Sequence, residues 1–181
     1  MATKSPVTLT GKAAIRSIGA RWILPLPQDA SAQLPSRGQV AVTGELDGHQ
    51  VRTVLEPDGR MGHWVSLDAA LPDTSQLRET EVLTFTFTTA STWPEPDVPE
   101  DLSAALEAAP DLAQTWESIT PMARWEWVRW VGSTRNPDTR ARRVEVSIDK
   151  LRNGSRRPCC FNLASCTDPE VARSGKLIGA E

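Results

Sequence analysis

The sequence contains no tyrosine, only three phenylalanines, two histidines and three cysteines in 181 residues. Seven tryptophans stand against the three phenylalanines, so aromatic burial falls mainly to indoles. The cysteines, Cys159, Cys160 and Cys166, are odd in number and crowded near one end, which excludes a secreted disulfide framework and fits a reducing compartment. Zinc sites draw on cysteine pairs spaced two to four residues apart and on four ligands. Here two cysteines are adjacent, and His49 and His63 lie far back in the chain, so neither a metal nor a cofactor is expected. Ordinary cysteines are the plainer reading; a reactive thiol is the alternative, because Arg156 and Arg157 nearby would lower a thiol pKa. No apolar run approaches the ~20 residues of a membrane helix. The opening MATKSPVTLTGK has no apolar core followed by a small-residue cleavage site, so a secretory signal is not expected and cytoplasmic residence is. Gly-x-Ser-x-Gly, the phosphate-loop lysine motif and the dinucleotide fingerprint are all missing. Carboxylates are plentiful, but no spacing singles out an acid/base pair. The chain leans away from being an enzyme.

What is present is ordinary globular composition, 39% hydrophobic and 24% charged, with an uneven charge map. Residues 1–118 carry 8 Lys/Arg against 16 Asp/Glu, whereas residues 119–157 carry 10 against 4. Such asymmetry marks either an anion-binding surface or charge that is solvated or offset within the protein.

Punctuation and period divide the chain. Residues 5–92 read as strands. The stretch 22–26 places Trp22, Leu24 and Leu26 on one face, and Asp47-Gly48 separates two β-rich runs as a tight hairpin does. In residues 82–88, VLTFTFT, Leu83, Phe85 and Phe87 alternate with threonines, which predicts a half-buried strand. Five or six strands without helical period predict a small antiparallel β-barrel or sandwich. Residues 93–99 form a proline-rich linker. Residues 100–157 predict three to four helices. Two of these open with a cap followed by a first-turn proline, Thr120-Pro121 and Asn136-Pro137. In the last helix Ala141, Val144, Ile148 and Leu151 recur at spacings of three and four. Residues 158–181 read as an irregular tail. The fold class is therefore α+β, a small antiparallel barrel followed by a helical module.

The order of these motifs resembles the bacterial YdeI/OmpD-associated family with its N-terminal domain of unknown function. The features are the strand at 22–27 (WILPLP), the hairpin at 40–48 (VAVTGELDG), Gly62-His63, the helix start at 99–106 (PEDLSAAL), the Trp-Val-x-Trp-Val of residues 127–131 and the Thr-Arg-x-Arg-Arg of residues 139–143. The resemblance covers about residues 8–157. It implies a β-barrel domain before a helical region and no established enzyme activity. Its name hints at bacteriocin protection or envelope stress by association alone.

Two candidate sites follow. Trp22, Arg52, His63 and Trp64 would line a pocket at the barrel mouth that takes a small ligand or peptide, although a hydrogen-bonded structural role for His63 is the plainer reading. Arg135, Arg140, Arg142 and Arg143 would form an anion-binding strip, since guanidinium forks match phosphate oxygens. The competing reading is a solvated or docking face, with Arg142, Glu145, Asp149 and Arg152 offsetting one another along one helix face. The indole-rich stretch 124–130 could stack bases or sit at a membrane interface, but Ala123, Trp127, Trp130 and Val131 fall on one helical face, which favours packing. A non-enzymatic binding module is the leading function and nucleic-acid or other anion binding the alternative. The partner and oligomeric state are left unknown.

Overall fold

A computed structural model describes residues 5–158, 162 and 164–179. The chain forms two compact units. The first holds residues 5–93 together with a short segment around Cys166 and residues 170–179; the second starts at Pro94 and includes Thr167–Pro169.

The first unit is a seven-stranded antiparallel half-barrel. Its strands are β1 (Thr8–Ala14), β2 (Arg16–Ile18), β3 (Arg21–Pro25), β4 (Val40–Leu46), β5 (His49–Pro57), β6 (His63–Ser66) and β7 (Val82–Thr89), in the spatial order β1-β7-β4-β5-β6-β3-β2. β1 and β2, separated by Ile15, are the two ends of the sheet rather than a hydrogen-bonded closure. Exposed Lys12 lies on the end strand β1, where a charge discourages pairing with another chain. The alternation works as the sequence predicts: Leu83, Phe85 and Phe87 face inward with Leu9, Leu24, Val42, Leu55 and Val65, while Thr84 and Thr86 are exposed. At the β4–β5 hairpin, Asp47 (φ 47°) and Gly48 (φ 83°) both take the left-handed conformation that a tight two-residue turn needs.

Two short helices sit in this unit, α1 (Gln28–Ala32) and α2 (Leu67–Ala70). α1 buries Ala30, and Leu34 just beyond it joins the same inner core. On the other face of the sheet, Ile23 and Trp64 pack with Cys166, Val171 and Leu177. Leu177 is brought there by a two-stranded hairpin, β8 (Ala172–Arg173) and β9 (Lys176–Leu177), and Val171 immediately precedes it.

The second unit is helical, with α3 (Glu100–Glu107), a 3-10 turn at Pro110–Leu112, α4 (Ala113–Ser118), α5 (Pro121–Gly132) and α6 (Pro137–Arg152). Both predicted caps are made. Thr120 Oγ1 accepts the Ala123 N–H at 3.2 Å, and Asn136 Oδ1 accepts the Thr139 N–H at 3.0 Å. The core of this unit holds Leu102, Leu112, Ile119, Trp127, Val131, Val144, Ile148 and Leu151, whereas Ala141 is exposed. Trp127 is fully buried and meets the half-buried Trp130 edge-on, with ring centroids 6.1 Å apart.

Candidate functional site

His63 begins β6 and is buried, and both ring nitrogens are engaged. Nε2 lies 2.9 Å from the Gly38 carbonyl, which only accepts, so Nε2 carries the hydrogen. Nδ1 is then the acceptor, and the buried Ser31 hydroxyl donates to it at 2.6 Å. Burial pushes the His63 pKa below the ordinary imidazole value; the Gly38 bond opposes this, the Arg37 charge adds to it and Asp58 opposes it. Arg37 ties the surrounding chain together. Its Nη2 donates to the carbonyls of Ser31 and Leu34, each at 2.8 Å, and its Nη1 donates to that of Met61 at 3.1 Å.

The turn between β5 and β6 is braced from several sides. Asp58 Oδ1 accepts the N–H groups of Arg60 (2.6 Å) and Gly62 (2.8 Å), and the Asp58 carbonyl accepts the Leu177 N–H at 2.8 Å. Met61, at the tip, has a φ of 76° and is 59% exposed. A methionine in left-handed backbone presented to solvent is uncommon, and such strain persists only where the surroundings hold it.

The four residues expected at a barrel mouth are not gathered there. Successive side chains of a strand point to opposite faces, so neighbouring His63 and Trp64 part company. His63 faces α1, while Trp64 packs among Ile23, Cys166 and Val171 and donates its indole N–H to the Pro57 carbonyl at 3.1 Å. Trp22 lies half-buried against the inner core, on the face of His63 but four residues along the extended chain from the Leu26–His63 hydrogen bond, roughly 13 Å away. Arg52 is exposed on the opposite face from Val51, with Nη2 3.4 Å from the Thr92 carbonyl. His49 is exposed in the hairpin, with Nδ1 3.1 Å from the Asp47 carbonyl.

The arginines of the helical unit are largely committed. Arg140 grips Asp101 with two bonds of 2.6 and 2.9 Å, and this contact holds the Asp101 carboxyl below its ordinary range. Arg143 donates to the Trp130 carbonyl (2.8 Å) and the Ser133 hydroxyl (2.6 Å), closing the end of α5, and lies over the Trp130 ring. Arg135 donates to the Pro169 carbonyl. Arg124 pairs with Glu95 and Arg152 with Asp111. Among the described residues Arg142 is exposed with no such partner.

Glu126, on α5, is buried with one oxygen 3.2 Å from Arg157 Nε and the other without a hydrogen-bond partner. Burial raises its pKa, partly opposed by Arg157. A carboxyl with a raised folded-state pKa favours folding below its unfolded value, and that contribution is lost as pH rises through the folded value. Glu126→Met is therefore expected to stabilise the protein at pH 7 by about 1 kcal/mol, because the half-exposed Arg157 is released to water. The gain should shrink toward pH 4. Thermal melts at the two pH values check this; equal or lower stability at pH 7 would contradict it.

Cys166 is buried, whereas Cys159 and Cys160, on which the thiol readings depend, lie outside the described residues. Among the described residues no group of three or more His, Cys, Asp or Glu is placed to hold a metal ion. No helix among them is long and apolar enough to cross a membrane.

Residues 12–87 match a domain of unknown function (DUF1905), and residues 95–154 match the family described as bacteriocin-protection, YdeI or OmpD-associated. Together the two matches are consistent with a YdeI/OmpD-associated family protein. No curated protein and no solved structure matches it. The first match covers most of the half-barrel, including Ser31, Arg37, the Met61 turn and His63; the second covers α3 to α6 with Glu126 and Arg140. Ser31, Arg37 and Met61 escape sequence reasoning because no motif carries them. Asp58-Gly59 signals the turn, but nothing marks the residues that brace it.

Proposed function

We propose that this protein is a non-enzymatic binding module, acting in the cytoplasm, that takes a small ligand or short peptide at the Asp58–Gly62 turn of its half-barrel. The link to bacteriocin protection or stress comes from the family name. The observation that carries this reading is Met61: a flexible apolar side chain, 59% exposed, held on strained backbone by Asp58 and Arg37. Strain of this kind costs about 1–3 kcal/mol, and an exposed thioether adapts to varied apolar partners. Arg60, also exposed, adds a charge beside it. In this reading His63 supports the turn from below rather than touching ligand, while Trp22, Arg52 and Trp64 stand apart from it.

The arginine pairing within the helical unit supports this reading over anion binding. Arg124, Arg140, Arg152 and Arg157 each face a carboxylate of the same unit, so their charge is already offset.

The test is backbone NMR of the full chain against a panel of short peptides and metabolites, with Met61→Gly as the variant. Shifts are expected at Arg60, Met61 and Gly62. Met61→Gly should raise thermal stability, by about 1 kcal/mol from the relieved backbone, while weakening binding at least several-fold. A panel that leaves the turn silent, or a Met61→Gly protein that binds equally well, would overturn the reading.

A further inference from the structure

We propose that His63 is an acid-sensitive latch: protonating its ring releases α1, the loop from Gln33 to Gly38 and the Met61 turn from the half-barrel while the sheet itself stays folded.

The geometry favours a neutral ring. Gly38 fixes the hydrogen on Nε2, so Nδ1 is free to accept from Ser31. A second proton would go to Nδ1 and meet the Ser31 oxygen head-on. Ser31 would have to turn from donor to acceptor, and its own hydrogen would point into a fully buried interior. An imidazolium there is thus desolvated and also orphans a hydroxyl. The charged groups facing the ring from the packed elements are Arg37, which repels the cation, and Asp58, which attracts it; Asp58 Oδ1 is already occupied by Arg60 and Gly62. Asp29 on α1 and Arg60 on the turn are exposed.

The release is local because the connections are local. Ser31 and Gly38, the two residues that grip the ring, flank Arg37, and Arg37 in turn holds the carbonyls of Ser31, Leu34 and Met61. Losing the ring from this assembly loosens α1 and the turn together. The β1-β7-β4-β5 ladders lie elsewhere in the sheet and contain no part of it. The linkage has one sign. The opened segment exposes an ordinary imidazole that takes up a proton near pH 6.5, and the closed form resists it, so opening is favoured as pH falls below that value.

The test is amide hydrogen exchange on the full chain, expressed as protection factors at pH 7.5 and 5.0. Protection at Ser31, Leu34 and Gly62 is expected to fall about tenfold relative to Val42 and Phe87 in the sheet centre. His63→Gln, a neutral side chain that still hydrogen-bonds, should abolish that differential; His49→Gln should leave it intact. A uniform loss across latch and sheet amides, no loss, or the same loss in His63→Gln would overturn the proposal. Should His63→Gln fail to fold, ring titration of the unmodified protein decides: His63 must titrate below the ordinary imidazole value of about 6.5, and a midpoint at or above it rejects the latch.

Discussion

Replacing Trp127 by alanine is expected to cost about 3–5 kcal/mol, the largest loss from any single truncation in the helical unit. The argument starts from burial. Trp127 is fully enclosed in the cluster that joins Leu112, Ile119 and Ala123 to Ile148 and Leu151 of α6, and it supplies the edge contact to Trp130. Alanine removes the ring and leaves a void that rigid helices cannot collapse to fill. It also deprives the Arg156 carbonyl of its 3.2 Å bond from the indole N–H. Trp127→Phe separates the two terms. It keeps most of the apolar volume and loses the hydrogen bond, so a smaller cost of about 1–2 kcal/mol is expected. Urea unfolding followed by the helical circular-dichroism signal measures both. A Trp127→Ala loss under 1 kcal/mol would mean that the indole is not the keystone of this unit.

The role of Trp127 is legible from sequence, because a helical period puts it on one face with Ala123 and Val131. The same holds wherever a period repeats. Leu83, Phe85 and Phe87 announce the inner face of β7, and the Thr120-Pro121 and Asn136-Pro137 pairs mark the starts of α5 and α6. What escapes is short or non-local. α1 and α2 have five and four residues, too few for any period to register. The β8–β9 hairpin rests on Ser174 (φ 51°) and Gly175 (φ 73°), a turn signal without flanking alternation. The binding candidates show the same limit. His63 and Trp64 stand out as rare residue types, but their adjacency in a strand sends them to opposite faces. The contacts that define the His63 environment come from Ser31 and Gly38, 32 and 25 residues away. The arginines are conspicuous as a run, and the fold distributes them to carboxylates such as Asp101 and Asp111, 39 and 41 positions distant. Composition reports that charge is uneven; only the fold says how it is offset.

Gly44→Ala is expected to be as damaging as the loss of the buried indole, at about 3–5 kcal/mol, although it adds a single methyl group. Gly44 lies mid-strand in β4, opposite Val51 on one side and Phe87 on the other, so both neighbours are fixed by ladder hydrogen bonds. Its φ of 152° falls in a region that L side chains rarely adopt. A Cβ there would overlap the carbonyl oxygen of Thr86, a backbone atom with no rotamer to escape into. Either β4 and β7 move apart or the residue abandons its conformation, and each route disrupts the centre of the half-barrel. Gly48→Ala is the matched control. Gly48 also has a positive φ, 83°, but nothing lies within 4 Å of its added methyl. It should lose only about 1 kcal/mol, the cost of conformation without collision. Urea midpoints for the two variants therefore separate strain from steric overlap. Similar losses at both positions would show that conformation alone sets the cost and that β7 yields at Thr86. A loss at Gly44 several times that at Gly48 would show that the β4–β7 pairing is rigid, as the filled core of Phe85, Phe87, Val42 and Leu46 beneath it requires.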